Sequence, residues 1–582
     1  MNSTNLSAYR AKIIGVAQYR VNSGLRRSYA SVVSCTSMLR RDWLKGAVAP
    51  ALMAAPSRPP NVILILTDDQ GFGDLRCHGN DKIRTPHLDR FARESVELSQ
   101  FHSSPVCTPT RACLMTGRYN YRTRAIDTYL GRAMMDPEEV TVAEMFAAAG
   151  YRTGIFGKWH LGDNYPMRAM DQGFQEALVH LGGGLAQPAG NPAGNHYFDP
   201  MLQHNGKWEK HRGYCTDIFT SAALRFIESN RRRPFFAYLA TNAPHTPLEI
   251  AERYIAPYRA AGLDDTTARI YGMVANLDEN VGRVLDTVRE LGLDRQTLLI
   301  FMTDNGPQQP RYNAGMRGLK GSVYEGGIRV PCFFRWKGRL LPRVMDQLTA
   351  HIDVLPTLLE ACGIPKTGDA PLDGRSLWPL LNGNSADWPE RTLYFQWHRG
   401  DQPRLYENSA ARTQRYKLVN GKELYDLLSD PGERRDIAGE HPDMVARLRR
   451  SYEEWFRDVS STRGYDPPRP VVGTPHENPM TLTRQDWRGP RAGWAADSLG
   501  YWEVEIANPG PYQITLRFEK APAAGEAVFQ AGTVNLKQAI EAGAESVTFS
   551  GVKLVPGKLR LEPWLAFGGK TIGVHYLDVA FF

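Results

Sequence analysis

The sequence predicts an α/β protein: a mainly parallel sheet sandwiched by helices, with a small antiparallel C-terminal subdomain and an appended β-sandwich. Three observations predict it. Four short apolar runs each end in polar or chargeable residues, as strands buried on both faces of a parallel sheet do. Helical periodicity fills the gaps between them, and strand–helix alternation gives a sheet covered on both sides. From about residue 390 the texture changes to short strand-like runs.

The first 57 residues precede that pattern. Residues 1–37 show no hydrophobic period and read as a dispensable extension. Then come Arg40-Arg41, the small apolar run Gly46–Ala55 and small residues suited to cleavage. This resembles a twin-arginine export signal, with Met38 as the start codon. Such a signal implies a bacterial protein delivered to the periplasm or secreted.

The first strand is Asn61–Thr67, ending at Asp68-Asp69. The second is Thr153–Gly157, leading into Lys158-Trp159-His160. The third, Phe235–Leu239, leads into Asn242-Ala243-Pro244-His245, and the fourth, Leu298–Met302, into Thr303-Asp304-Asn305-Gly306. Carboxyl ends of such strands are where open α/β sheets place ligands. Residues 268–291 carry Tyr271, Val274, Leu277, Val281, Val284, Leu285, Val288 and Leu291, a helical core stripe. The expected catalytic domain spans 58–388. An antiparallel subdomain at 389–463 contains runs at 392–397, 416–419 and 423–426 and a helix at 442–457. A Pro-rich linker at 464–480 precedes a sandwich at 481–582 with strands at 501–506, 512–518, 527–530, 546–549, 558–561 and 571–576.

Composition narrows the function. The chain has 582 residues, is 42% hydrophobic and lacks a run long enough to span a bilayer, so no stable membrane insertion is expected. A net charge of +8 suits an anionic substrate. No helix-turn-helix, zinc finger or aromatic–basic repeat points to nucleic acid. Seven cysteines without a Cys-x-x-Cys pair argue against a zinc site or a disulfide scaffold, although one or two bridges can form after export.

Residues 107–111 read Cys-Thr-Pro-Thr-Arg. Pro109 fits the first turn of a helix, where its missing N–H costs nothing. Taken alone, Cys107 is either a small buried hydrophobe or a reactive position. Asp68, Asp69, Asp304 and Asn305 form two pairs at two strand ends. Crowded carboxylates repel unless a cation lies between them, and all-oxygen donors favour a hard ion over zinc. Two ordinary Asp-rich turns would give the same pairs.

Those residues, with Gly157–His160, Ala243–His245, Lys320-Gly321 and Glu325–Pro331, carry a resemblance over about residues 60–460. The chain resembles formylglycine-dependent type I sulfatases, arylsulfatase-like members of the alkaline-phosphatase-like superfamily. The resemblance implies that a formylglycine-generating enzyme oxidises Cys107 to an aldehyde, which hydrates to a diol. It implies that Asp68, Asp69, Asp304, Asn305 and the modified Cys107 hold Ca²⁺, with Mg²⁺ the less favoured ion. One diol hydroxyl would attack sulfur and release the alcohol; the second would lose its proton, expel sulfate and restore the aldehyde. Lys158 and Lys320 would stabilise charge on the sulfate oxygens. His245 would protonate the leaving alcohol, His160 would assist collapse of the diol, and Arg111 would orient it.

The implied substrate is a sulfate ester, with a sulfated carbohydrate favoured by the expected export. Two alternatives stand: a phosphonate monoester or phosphodiester hydrolase of the same superfamily, and a non-catalytic glycan-binding protein. His102, His351 and His398 either line the cleft or are structural, and Cys113 reads as packing. The C-terminal sandwich either binds glycan through Trp502 or Trp564 or caps the catalytic domain.

Overall fold

The computed structural model describes residues 58–384 and 388–582. The twin-arginine motif and Met38 lie outside the described residues. The central sheet has ten strands: β1 (Asn61–Thr67), β2 (Val96–Leu98), β3 (Arg152–Lys158), β4 (Glu176–His180), β5 (Met201–His204), β6 (Lys207–Lys210), β7 (Phe235–Ala240), β8 (Thr297–Thr303), β9 (Cys332–Arg335) and β10 (Arg343–Met345). Their order is β10-β2-β9-β8-β1-β7-β3-β4-β5-β6. The centre is parallel: β1 pairs with β7 and β8, and β3 with β7 and β4. Antiparallel pairs lie toward both edges, at β8–β9–β2 and β4–β5–β6.

β1 shows why this stretch must be central. All seven of its residues are buried. Val62, Leu64 and Leu66 enter one core, while Ile63 and Ile65 enter another on the opposite face, as the two-residue period of a strand requires. Burying each of those aliphatic side chains contributes roughly 1.5–3 kcal/mol. The helix Asp265–Glu290 covers the second face with Val274, Val281, Val284 and Val288. Asp264 caps its start by accepting the Thr267 N–H at 3.0 Å. Because β1, β3, β7 and β8 run the same way, the polar residues after each of them arrive at one edge.

The small antiparallel sheet has four strands: Leu393–Gln396, Ser409–Arg412, Tyr416–Val419 and Glu423–Asp426. The second, Ser-Ala-Ala-Arg, went unanticipated because it has neither β-branched residues nor apolar alternation. The helix Pro442–Ser461 buries Leu448, Tyr452, Trp455 and Val459, all of which join this sheet's core near Phe395 and Leu418.

The C-terminal residues form two sheets, one of seven strands and one of four, that share a core including Trp487, Trp502, Ile514 and Leu577. Three details differ from expectation. Trp502 is 1% exposed and its Nε1–H donates to the Thr483 carbonyl at 2.7 Å, so it is core and not a glycan platform. The run expected at 571–576 divides between Lys570–Gly573 and Tyr576–Phe581, which belong to different sheets. Within the stretch read as a linker, Val471–Val472 pairs in parallel with Glu505 and Ile506. All six described cysteines are unpaired. Among the described residues no helix is long and apolar enough to cross a membrane.

Candidate active site

The helix α1 (Cys107–Thr116) organises the site. Cys107 is its first residue, and every residue of the helix is buried. Two threonines and an arginine from its first turns tie neighbouring strand ends to it. Thr108 donates to the His160 carbonyl at 3.2 Å, and Thr110 to the Asp304 carbonyl at 2.7 Å. Arg111 donates to the Lys158 carbonyl at 3.0 Å and to Asp304 Oδ2 at 2.8 Å. Arg111 is 0% exposed, so its charge acts in a dry environment against Asp304.

Around this helix end the structure gathers all ten residues singled out in the sequence. Lys158 Nζ lies 2.6 Å from Asp68, and Lys320 Nζ 2.6 Å from Asp69. Asn305 Nδ2 donates to Asp69 Oδ1 at 2.8 Å, and the Asp69 N–H donates to Asp304 Oδ1 at 3.2 Å. His245 Nε2 is 3.8 Å from Asp69. Cys107, His160, His245 and Lys320 line a cavity of about 570 Å³, within the usual size range of small-molecule sites.

The donor set fits a hard cation. One ligand atom each from Asp68, Cys107 and Asp304, and one each from Asp68, Asp69 and His245, lie within 4.8 Å of one another. Asp68 Oδ1, Asp69 Oδ2 and Asn305 Oδ1 are buried without a hydrogen-bond partner. Buried polar atoms are rarely left so. Oxygen donors dominate, which favours Ca²⁺ or Mg²⁺. The backbone also reaches for this geometry, since Asp69 and His160 both sit in the left-handed region, at φ 63° and 57°. Non-glycine residues seldom hold such angles outside constrained sites.

The electrostatics follow from burial and crowding. Burial and the Asp68 carboxylate push Asp304 up to about 7. Burial also works against ionised Asp69, but Lys320, His245 and Lys158 outweigh it and hold that carboxyl below its ordinary range. Burial raises the Cys107 thiol despite Lys158 and Lys320 nearby, so the unmodified cysteine is a poor thiolate nucleophile. His245 falls to about 3, through burial and then the Lys320 charge, and His160 falls well below its ordinary value for the same kind of reason. His245 Nδ1 faces the Thr246 carbonyl at 2.7 Å and His160 Nε2 the Thr128 carbonyl at 2.8 Å. A carbonyl only accepts, so these nitrogens carry the protons. The free nitrogens are His245 Nε2 and His160 Nδ1.

Several supporting residues were missed in the sequence. Arg311 pairs with Asp74 and donates to the Asp69 carbonyl at 2.9 Å, fixing the strained turn. Tyr197 Oη donates to the Asn242 and His245 carbonyls at 2.6 and 2.7 Å. Gly183 and Gly184 press against the histidines: a Cβ there would lie 2.7 Å from His160 Cε1 and 2.8 Å from His245 Cε1. The run Gly182-Gly183-Gly184 was the one visible signal for this contact. His102, His351 and His398 do not line the cavity. His102 contacts Glu325 at 3.1 Å, His351 contacts Ser104 at 3.0 Å, and His398 is buried. Cys113 is buried in the core beneath the small antiparallel sheet.

Comparison with known proteins agrees with this geometry. The family model described as sulfatase matches residues 60–364. A second model, N-sulphoglucosamine sulphohydrolase C-terminal, matches residues 319–457. Arylsulfatase A of Homo sapiens is 31% identical over 467 residues, covering 69% of this chain and 89% of that protein. The N-acetylgalactosamine-6-O-sulfatase of Bacteroides thetaiotaomicron is 29% identical, covering 67% and 92%. Among solved structures, Ps i-CgsB in complex with k-i-k-neocarrahexaose superposes with a TM-score of 0.64 at 28% identity, covering 70% of this chain and 95% of that one. The family model spans more than half of the chain, and the human relative is covered over most of its length. The chain therefore belongs to the sulfatase family and is a sulfuric ester hydrolase.

Proposed function

We propose that the protein hydrolyses sulfate esters of a carbohydrate through a formylglycine residue formed from Cys107. One observation carries the reading. Cys107 lies at the start of a fully buried helix, between unpartnered carboxylate oxygens and a group of buried cations, at the wall of a substrate-sized cavity. A helix N-terminus favours an anion there.

Asp68, Asp69, Asp304 and Asn305 are the residues that would hold a calcium ion. When bound, the ion would supply Lewis-acid stabilisation of negative charge on sulfate oxygens. Lys158 and Lys320 add fixed positive charge beside the same oxygens, so charge developing as the S–O bond breaks meets cations that need no reorganisation. Arg111 holds Asp304 and the end of β3 in register with Cys107. Neutral His160 offers Nδ1 as a proton acceptor for the hydrated aldehyde. His245 Nε2 accepts the proton that the attacking hydroxyl of the hydrated aldehyde gives up and delivers it to the departing alcohol oxygen. A sugar substrate agrees with the names of the bacterial relative and of the oligosaccharide complex. Delivery to the periplasm or outside the cell follows from the export signal read at residues 38–55.

The test is to coexpress the chain with a formylglycine-generating enzyme and to confirm by mass spectrometry that the Cys107 peptide carries the aldehyde. Sulfate release is then measured on sulfated oligosaccharides and on 4-nitrophenyl sulfate, beside the matching phosphate and phosphonate esters. Sulfate release that Cys107→Ala abolishes is the expected result. Turnover by Cys107→Ala at the parent rate, or faster cleavage of the phosphorus esters, would refute the reading.

A further inference from the structure

The cavity extends outward from Cys107 past a wall built from three separate parts of the chain. Tyr129 comes from the segment after α1, Trp397 and Arg399 follow the first strand of the small antiparallel sheet, and Trp494 comes from the loop joining two strands of the C-terminal sheets, Arg488–Arg491 and Leu499–Ile506. Thus the appended sheets contribute a side chain to the cavity that holds the candidate nucleophile.

These groups form one connected surface. Tyr129 and Trp494 meet edge to face, with ring centroids 5.1 Å apart. The Arg399 guanidinium lies 4.5 Å from the Tyr129 ring and 5.0 Å from the Trp397 ring. Trp397 packs on Gly321, beside Lys320, where a Cβ would lie 2.9 Å from its ring. Asp127, whose side chain is fully buried, accepts from Trp397 Nε1 at 3.0 Å and from Arg399 Nη1 at 2.9 Å. It holds the tryptophan and the arginine in one fixed arrangement.

Two physical features identify the ligand. All three aromatic side chains are half-buried, so their rings are only partly covered. Partly exposed rings match the apolar C–H faces of a sugar ring. The charges are also unbalanced. Arg132, Arg399 and Arg488 share the carboxylates of Asp127 and Asp401, three cations against two anions. Arg399 is about half exposed, at 52% of its side chain. An uncharged aryl or steroid group has no use for that excess; an anion does.

We propose that Tyr129, Trp397, Arg399 and Trp494 form a subsite for a sugar that bears its own anionic group, carboxylate or sulfate, and that adjoins the sulfated residue being cleaved. The inference rests on the sulfatase reading of the site. It makes Trp494 and Arg399 specificity-determining residues and gives the C-terminal sheets a part in substrate recognition.

The matured holoenzyme tests it with three kinds of substrate: 4-nitrophenyl sulfate, sulfated disaccharides with a neutral neighbour, and sulfated disaccharides whose neighbour is a uronate or a second sulfated sugar. Trp494→Ala is expected to lower kcat/KM for the disaccharides about tenfold relative to 4-nitrophenyl sulfate, through KM, with Trp494→Phe recovering most of it. Arg399→Gln, a change at an exposed position, is expected to raise KM for the anionic neighbours alone. The uronate and sulfate arms tell which anion is preferred. Equal losses on all three kinds of substrate, or no loss on any, overturn the subsite. Equal effects of Arg399→Gln on neutral and anionic neighbours overturn its anion preference. A readout independent of turnover is tryptophan fluorescence of Cys107→Ala titrated with the uncleaved anionic disaccharide. Quenching that Trp494→Phe reduces supports the subsite even where sulfate release fails, and absence of saturable quenching counts against it.

Discussion

Gly184 lies against His245 so closely that a single methyl group has no room, its Cβ falling 2.8 Å from Cε1. Gly184→Ala must therefore displace either the loop or the imidazole. Misplacing a catalytic group by about 1 Å costs on the order of 10²-fold in rate. We expect a drop of that order in kcat with little change in the thermal midpoint, and a parent-like kcat would show that His245 tolerates displacement. In the proposed mechanism Lys320 has a different role, supplying charge from its position 2.6 Å from Asp69. Lys320→Met should cost about 10²–10³-fold in kcat, the usual loss for one transition-state electrostatic partner. A loss confined to KM would assign it to ground-state binding instead. The unpartnered oxygens of Asp68, Asp69 and Asn305 predict a bound cation. Treatment with EGTA should abolish sulfate release and lower the thermal midpoint, and Ca²⁺ should restore both better than Mg²⁺. Full activity after exhaustive chelation would remove the metal from the account. Asp68, Asp69, Asp304 and Asn305 were legible in the sequence because each pair follows an apolar strand directly. Arg311, Asp74 and Tyr197 were not, since Arg311 and Tyr197 act on backbone carbonyls across the fold and Asp74 acts by holding Arg311, and no local pattern marks such contacts.

Elements were legible where burial is one-sided or complete. β1 and the helix Asp265–Glu290 display their period openly, and both lie where the sequence puts them. Short strands without apolar alternation, such as Ser409–Arg412, are held by their neighbours rather than by their own residues. That sheet also hides a buried ion network. Lys417 is fully buried and contacts Glu325 at 3.1 Å and Glu433 at 2.9 Å, while His102 and Arg412 also contact Glu325. Burial alone would raise Glu325, but Lys417, His102 and Arg412 hold it well below its ordinary value. Glu325 opens the short helix Glu325–Ile328 a few residues after Lys320, so the network anchors the loop that delivers that lysine. Lys417→Met would leave two carboxylates facing each other in the interior. Breaking a buried pair in this way typically costs about 3–5 kcal/mol. Urea denaturation should show a loss of that size, with partial recovery in Lys417→Met/Glu433→Gln. An unfolding free energy equal to the parent's would mean that water reaches the network.

At the scale of the whole molecule, the arrangement of chain segments escaped the sequence. Nothing in the run 485–494 announces that it meets the catalytic edge, yet Gln485 donates to the Thr128 carbonyl at 2.8 Å, the same oxygen that His160 contacts. Asp486 is buried beside Asp163, and Asp163 accepts the Gly182 N–H at 3.0 Å. Gly182 opens the loop that packs on both histidines, so this carboxyl pair joins the C-terminal sheets to the active site. Burial raises Asp163 to about 6 from an ordinary 3.8. Burial and then Asp163 raise Asp486 well above its ordinary value. The folded protein therefore keeps protons that the unfolded chain releases near pH 4. Stability from this pair is complete below about pH 4 and is lost as pH rises through about 6 and beyond, at about 1.4 kcal/mol per pH unit for each proton held. Asp486→Asn cannot ionise, so it removes one of the two titrating groups. Unfolding free energies measured at about pH 5, pH 6.5 and pH 8 should fall less steeply for Asp486→Asn than for the parent, with the variant the more stable at pH 8. Parallel slopes for the two proteins would mean that a cation, rather than a proton, balances the pair.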